Sequence, residues 1–197
     1  MKIYKIILLS LILTGCASTQ EKSNVGYDWS ENPDYSQLRK TIGWSDDYSS
    51  MCMAGRPLAE MAKAMNSKEW NKAVDIGDAW LNKCPIDIRV DYLAGISMEE
   101  LGNENGARNH YRWMIGFMDD LVASGDGKTP ETAYEVISVS EEYDARYIFG
   151  LEKKSQALIS DPVMCDLITA VDENGKEVSI CFNPAAHFAR LSEILSD

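Results

Sequence analysis

The chain has 197 residues, and its 31 acidic side chains against 19 basic ones give a formal net charge of −12. That balance argues against nucleic acid, whose affinity comes largely from Lys and Arg neutralising phosphates, and against electrostatic adhesion to anionic lipid. The length fits one domain or two small ones, and five Trp and nine Tyr supply enough large side chains to fill a core.

The chain opens on Met1-Lys2-Ile3-Tyr4-Lys5, continues almost without a polar residue over 6–13, and reaches Leu13-Thr14-Gly15-Cys16. A basic start, a short apolar run and small residues before a cysteine form a secretory signal; the run is too short for a spanning helix, which needs about 20 apolar residues. The four residues resemble the lipobox of bacterial lipoproteins. That resemblance implies cleavage before Cys16, acylation of its thiol (palmitate among the chains) and membrane attachment through the acyl anchor alone. Ala17 rather than Asp after the cysteine implies sorting to the outer membrane, and we expect the protein to face the periplasm. Residues 1–15 are thus the expected signal peptide. Residues 16–33 are the lipidated cysteine and a polar tether, with no apolar period over 17–26.

Pro33-Asp34 opens a short helix with Leu38 and Ile42 on one face, ending near Gly43. The next segment repeats itself. Trp70-Asn71-Lys72-Ala73 and Glu104-Asn105-Gly106-Ala107 stand 34 residues apart, and Pro85 follows twelve residues after Ala73. That period, with a small residue at the helix crossing and a closing proline, is the tetratricopeptide signature. Gly95, Gly102, Ala107 and Tyr111 match its small, turn, small and aromatic positions, while the first copy lacks the glycine before Trp70. The spacing predicts two helical hairpins, 50–66 with 68–83 and 87–101 with 104–123, with apolar residues at three- and four-residue steps such as Leu58, Met61, Ala62 and Met65. The tetratricopeptide-like region spans 34–123.

A small α+β region is expected over 124–197. Ser124-Gly125-Asp126-Gly127-Lys128 is a turn cluster. Tyr134-Glu135-Val136-Ile137-Ser138-Val139 is a β-branched run that suits a strand, followed by a helix over 141–149 capped by Ser140 and stopped at Gly150. Strands are expected at 155–159, 165–171 and 177–182, the last two joined at Asp172-Glu173-Asn174-Gly175, a strong hairpin turn. A short helix over 184–195 closes the chain. The fold class is α+β: tetratricopeptide-like hairpins, then a small antiparallel sheet with flanking short helices.

Besides Cys16, four cysteines remain, and in an exported chain an even number can form disulfides. Three pairings are possible. A hairpin turning near Asn66 brings Cys52 near Cys84, and a turn at Asn174-Gly175 places Cys165 and Cys181 on adjacent strands, though not directly opposite. With no CxxC and no nearby His, we expect no metal and no other cofactor.

Chemistry is hard to find. Gly125-Asp126-Gly127-Lys128-Thr129 ends like a phosphate loop, but the earlier glycine falls on Val122 and the segment follows a helix. His110 and His187 are far apart, and His110 is expected at the surface or partly buried. Gly95-Ile96-Ser97-Met98 lacks the second glycine of a nucleophile elbow. Asp119-Asp120, Glu99-Glu100 and Glu141-Glu142 are expected on solvated faces, since adjacent helical residues point about 100° apart.

Ser124-Gly125-Asp126-Gly127-Lys128-Thr129-Pro130-Glu131-Thr132-Ala133-Tyr134, continuing through Val136-Ile137-Ser138-Val139 to Glu141-Glu142-Tyr143, resembles the hallmark stretch of a family of exported bacterial proteins known as a domain of unknown function. The resemblance runs from Asp34-Tyr35 and Leu38-Arg39 to Phe182-Asn183. It implies a helical front and a strand-rich end, with Gly125, Asp126, Gly127, Lys128, Glu131 and Tyr134 as the family-motif turn, and it brings no activity.

The function expected is therefore a non-catalytic, lipid-anchored binding or scaffold module that holds a protein partner on the concave face of its hairpins, with Trp80 and Trp113 as possible partner-binding aromatics. An alternative is an immunity or inhibitor lipoprotein whose acidic surface neutralises a basic toxin. A second is an envelope hydrolase with Asp126, Lys128 and Glu131 around the turn.

Overall fold

The structure, a computed structural model, describes residues 32–161 and 163–194. The expected signal peptide, Cys16 and the tether up to residue 31 lie outside the described residues. Among those described, seven α-helices and one four-stranded mixed sheet make an α+β fold.

Helix α1, Tyr35–Gly43, opens at Asp34, whose side chain accepts from the Gln37 N–H at 2.9 Å. The first hairpin is α2, Leu58–Asn66, with α3, Trp70–Leu81; the second is α4, Ile88–Glu100, with α5, Glu104–Ala123. The expected helix over 50–66 is broken. Ser49–Met53 forms a π-helical turn, and α2 begins only after Pro57. Pro57 has no N–H to give and disfavours helical backbone at Arg56, so the periodic apolar pattern cannot run through it. Asp87 and Asn103 cap α4 and α5 by accepting from the N–H groups of Val90 and Gly106.

The two hairpins cross by the same rule with the sizes exchanged. In the first, Gly77 on α3 lies under Met61 on α2: a Cβ there would sit 3.0 Å from Met61 Cε. In the second, Gly95 on α4 lies under Tyr111 on α5: a Cβ there would sit 2.4 Å from the ring. Each crossing pairs one glycine with one large side chain, which lets the helices approach closely. The turns correspond too, since Gly102 has φ +71 and Lys68 takes φ 57 at the matching place in the first hairpin.

In the second half the expected strand over 134–139 is cut short. Only Tyr134–Glu135, β1, forms a strand, and it pairs parallel to the end of β4. Ser138 then caps α6, Val139–Ile148, by accepting from the Glu141 N–H at 3.1 Å, while Glu141 Oε2 accepts from the Ile137 N–H. The Ser138 cap, with Glu141 reaching back to the Ile137 N–H, overrides the β-branched run; the cap is Ser138 and not Ser140. Strands β2, Glu152–Ile159, β3, Cys165–Val171, and β4, Glu177–Asn183, follow, then α7, Ala185–Ile194. The sheet order is β1-β4-β3-β2. Asp172 Oδ1 fixes the β3–β4 turn by accepting from the N–H groups of Asn174 and Lys176.

One core runs through both halves, joining Ile42, Phe117 and Leu121 to Ile137, Ala145, Ile168 and Phe182. Two disulfides are present. Cys52 in the π-helical turn joins Cys84 beyond α3, with Cα atoms 5.1 Å apart, and Cys165 on β3 joins Cys181 on β4, 5.6 Å apart. Leu167 is the residue directly opposite Cys181, so the second bridge is diagonal.

Candidate functional site: a groove across helix α5

The residues singled out by the family-motif turn do not form a cleft. The Asp126 carboxylate accepts from Thr132 Oγ1 at 2.6 Å, from Lys128 Nζ at 2.7 Å and from the Lys128 N–H at 3.1 Å. The hydrogen bonds with Lys128 and Thr132 hold its pKa down to about 2. Glu131 stays exposed on a short 3₁₀ turn, held by its own backbone N–H and Thr129. Gly127 has φ +65, its missing Cβ makes room for the Tyr134 ring, and its carbonyl accepts from the Cys181 N–H. Gly125 is equally constrained, because a Cβ there would lie 2.4 Å from the Thr132 carbonyl oxygen. The motif is thus a turn satisfied by its own side chains and tied to β4.

Three other expectations are corrected. Trp80 and Trp113, expected as possible partner-binding aromatics, are only 6 % and 2 % exposed. Trp80 Nε1 donates to Asp87 Oδ2, and Trp113 packs edge-on with Tyr35 and Phe117, so both fill the core. His110 is buried against Asp91, Nδ1 to Oδ1 3.1 Å, because its position on α5 faces α4. Glu141 and Glu142 are buried rather than solvated. Glu141 holds Arg39 through Nε and Nη2 at 2.7 and 2.8 Å, and Asp120 takes Nη1 at 2.9 Å. Glu142 shares Gln156 Nε2 with Asp166, and burial, then Asp166, pushes its carboxyl up to about 8. Their partners lie on α1 and β3, far along the chain, so only the tertiary structure reveals these positions as internal.

A second buried cluster joins the halves. Arg56 Nε and Nη2 clasp Asp87, and Nη2 also reaches Asp144 on α6. Burial, opposed by Arg56, pushes Asp144 up to about 6. Beside it, Tyr147 of α6 lies 6.0 Å from the Tyr92 ring, with Arg89 of α4 over its face. Helix α6 therefore covers the side of α4 left open by α3 and α5.

A groove lies elsewhere. Of about 780 Å³, it runs across the outer side of α5, bounded by Asn32 and Tyr35 at one end and Glu99 at the other. Ala107 and Gly116 of α5 line it together with Tyr35, Tyr111 and Ile115. Gly116 is required, because a Cβ would lie 2.4 Å from the Tyr35 ring. Tyr35 is held edge-on against Trp113 and Phe117 at 5.8 and 5.2 Å, so this wall is rigid, and its hydroxyl donates to Asn32 Oδ1. Ile115 is 49 % exposed and adjoins the other apolar side chains of the groove. Glu99, Glu104 and Asp119 and the basic Arg108 and Arg112 also line it. Burial, then Glu99, raises the pKa of Tyr111, which keeps its hydroxyl protonated.

The lining thus combines apolar side chains with charges of both signs. Among the described residues no group of three or more His, Cys, Asp or Glu side chains is placed to hold a metal ion. No described helix is long and apolar enough to cross a membrane. The pattern Tyr111, Ile115 and Gly116 at helical steps was visible in the sequence, but it reads equally as a buried face; the exposure of Ile115 decides it.

Fold and site together define a helical-repeat protein with a fused sheet whose own helix α6 covers part of the repeat. The family model described as Domain of unknown function (DUF4919) matches residues 31–186, and the chain belongs to that family. Neither a curated protein nor a solved structure matches the chain.

Proposed function

We propose that this protein is a non-catalytic binding module, anchored by acyl chains at Cys16 to the periplasmic face of the bacterial outer membrane, that holds an amphipathic segment of a partner protein in the α5 groove. The observation that carries the reading is the groove itself, lined by apolar side chains and by charges of both signs. The two disulfides fit an oxidising compartment, where such bridges persist, and the lipobox-like Leu13-Thr14-Gly15-Cys16 supports the anchor.

The net charge of −12 favours a basic partner by long-range attraction. A secreted toxin held inactive at the membrane is the version of this reading in which partner and target coincide.

The test is site-specific photo-crosslinking in intact cells from Ile115 and, as a control, from Glu173 on the β3–β4 turn. A discrete adduct from a photo-reactive residue at position 115 alone, lost when Glu104→Lys and Arg108→Glu reverse the exposed lining charges on the same background at unchanged thermal stability, is the expected result. Equal labelling from both positions overturns the groove. The anchor is tested separately: Cys16→Ser should abolish processing and release the protein from the membrane fraction.

A further inference from the structure

We propose that the α5 groove takes this chain's own residues 25–31, and that a partner's segment must displace them to bind. The docking stands without the partner reading given above; the competition rests on it.

The place where the described chain begins fixes the reach. Asn32, the first described residue, itself lines the groove, and its Oδ1 accepts from the Tyr35 hydroxyl at 3.0 Å. Tyr35 in turn lies over Gly116 of α5. The residues just before Asn32 are therefore tied to one end of the lined stretch, which continues along α5 to Glu104. From Gly116 to Glu104 the helix rises about 18 Å. An extended chain covers that distance in about six residues, so the residues immediately before Asn32 span it. Being joined to the groove, they meet it at an effective concentration of about millimolar, which a separate protein must overcome.

The order of side chains fixes the segment. Val25, Tyr27 and Trp29 alternate with Gly26, Asp28 and Ser30, whereas residues 17–24 hold no large apolar side chain. In extended backbone the three large side chains share one face, with successive ones about 6.6 Å apart. Tyr111 and Ile115 of the lining are four helical residues apart, about 6 Å along the axis. Two aromatics at strand spacing thus match two apolar lining residues at helix spacing, and docking covers the exposed Ile115. Charge does not make the choice, because Glu99, Glu104 and Asp119 offset Arg108 and Arg112 while the segment carries Asp28 and Glu31. With Cys16 acylated, docking leaves residues 16–24 as the free tether in place of 16–31. Its greatest reach falls from about 55 Å to about 30 Å, so a partner that takes the groove also lets the domain stand further from the membrane.

The test uses the purified full-length protein in detergent, with a photo-reactive residue at position 115. Trypsin cuts after Lys22 and Arg39 and so releases the segment within one peptide of residues 23–39. Irradiation should join position 115 to residues 25–31 of the same molecule. The yield should be unchanged on tenfold dilution and at least fivefold above that from position 173 on the β3–β4 turn. Tyr27→Asp with Trp29→Asp should cut the link at least fivefold, and Tyr27→Phe with Trp29→Phe should keep it, both with unchanged thermal unfolding. In intact cells the two Asp substitutions should raise the adduct between position 115 and a partner at least threefold. No link to residues 25–31, a link found only between two copies, or one that survives the Asp substitutions overturns the docking. A partner adduct that the Asp substitutions leave unchanged overturns the competition. An intramolecular link with no partner adduct in cells upholds the docking and overturns the partner reading.

Discussion

The two helical hairpins solve one packing problem in opposite ways. In both, a glycine and a large side chain meet where the helices cross, but the first puts the large residue on its leading helix, Met61 over Gly77, and the second puts it on the following helix, Tyr111 over Gly95. The positions correspond at the repeat spacing, so the exchange preserves the volume at the crossing while moving the bulk from one helix to the other. What a repeat fixes is the summed size of a contacting pair, because interiors are close-packed and respond to the sum. The consequence shows outside the core. Bulk on α5 puts the half-buried Tyr111 on the outer side of the second hairpin, where it walls the groove, and the first hairpin has no equivalent.

The hairpins also differ in how they are fastened. Cys52–Cys84 closes the first with a sequence separation of 32, whereas the second is held by packing and by α6. The Cys52→Ala/Cys84→Ala double variant should therefore cost about 3–4 kcal/mol by chain-entropy reasoning. Denaturant titration should register that loss, and amide exchange should place it in α2 and α3 before α4 and α5. Equal loss of protection in both hairpins would contradict the difference.

The exchanged crossing is testable by importing one hairpin's solution into the other. Gly95→Met should destabilise by roughly 1–3 kcal/mol through overpacking against Tyr111. Adding Tyr111→Ala should recover part of that, giving a coupling of about 1 kcal/mol or more in a double-mutant cycle. Additive effects would mean that the two residues do not share the crossing.

A pH series sharpens the contrast in another way, because only the second hairpin is backed by α6. Glu142 has a folded pKa raised to about 8 from 4.5. The folded state therefore keeps a proton that the unfolded chain releases. Its stabilising contribution is complete below pH 4.5 and is lost as pH rises towards 8. Relative to the parent, Glu142→Gln should gain a few degrees in Tm on going from pH 5 to pH 8. A constant difference across that range would refute the burial argument.

The smallest effect concerns the turns. Lys68 occupies the left-handed conformation that glycine takes at Gly102. Lys68→Gly should raise stability by about 1 kcal/mol, and Gly102→Lys should lower it by a similar amount. Thermal melts that show no change for either would mean the strain is relieved locally.

Much of the fold was legible because its signals are local. Asp34, the 34-residue spacing and Asn174-Gly175 each act within a few residues or within one repeat, and the helices and strands they predict lie close to those observed. The errors came where two local signals competed. Pro57 overrode an apolar period, and Ser138-x-x-Glu141 overrode a β-branched run. The groove was hardly legible at all. Tyr111, Ile115 and Gly116 look like any apolar helix face, and Trp80 and Trp113 look like better candidates for display until burial is known. Arg39 shares a helical face with Tyr35 and Ile42, a placement that hinted at an internal arginine without naming Glu141 and Asp120 as its partners.

By itself the sequence determined the α+β class, the repeat, the turns and which cysteines lie close, since periodicity, capping and turn chemistry are encoded in neighbouring residues. Only the tertiary structure decided which face of α5 stays open, that α6 closes α4, and that Glu141 and Glu142 are buried. Those outcomes depend on contacts between residues up to about a hundred positions apart, as between Arg39 and Glu141. Pairing at that distance is set by the packing of whole elements, and no local pattern records it.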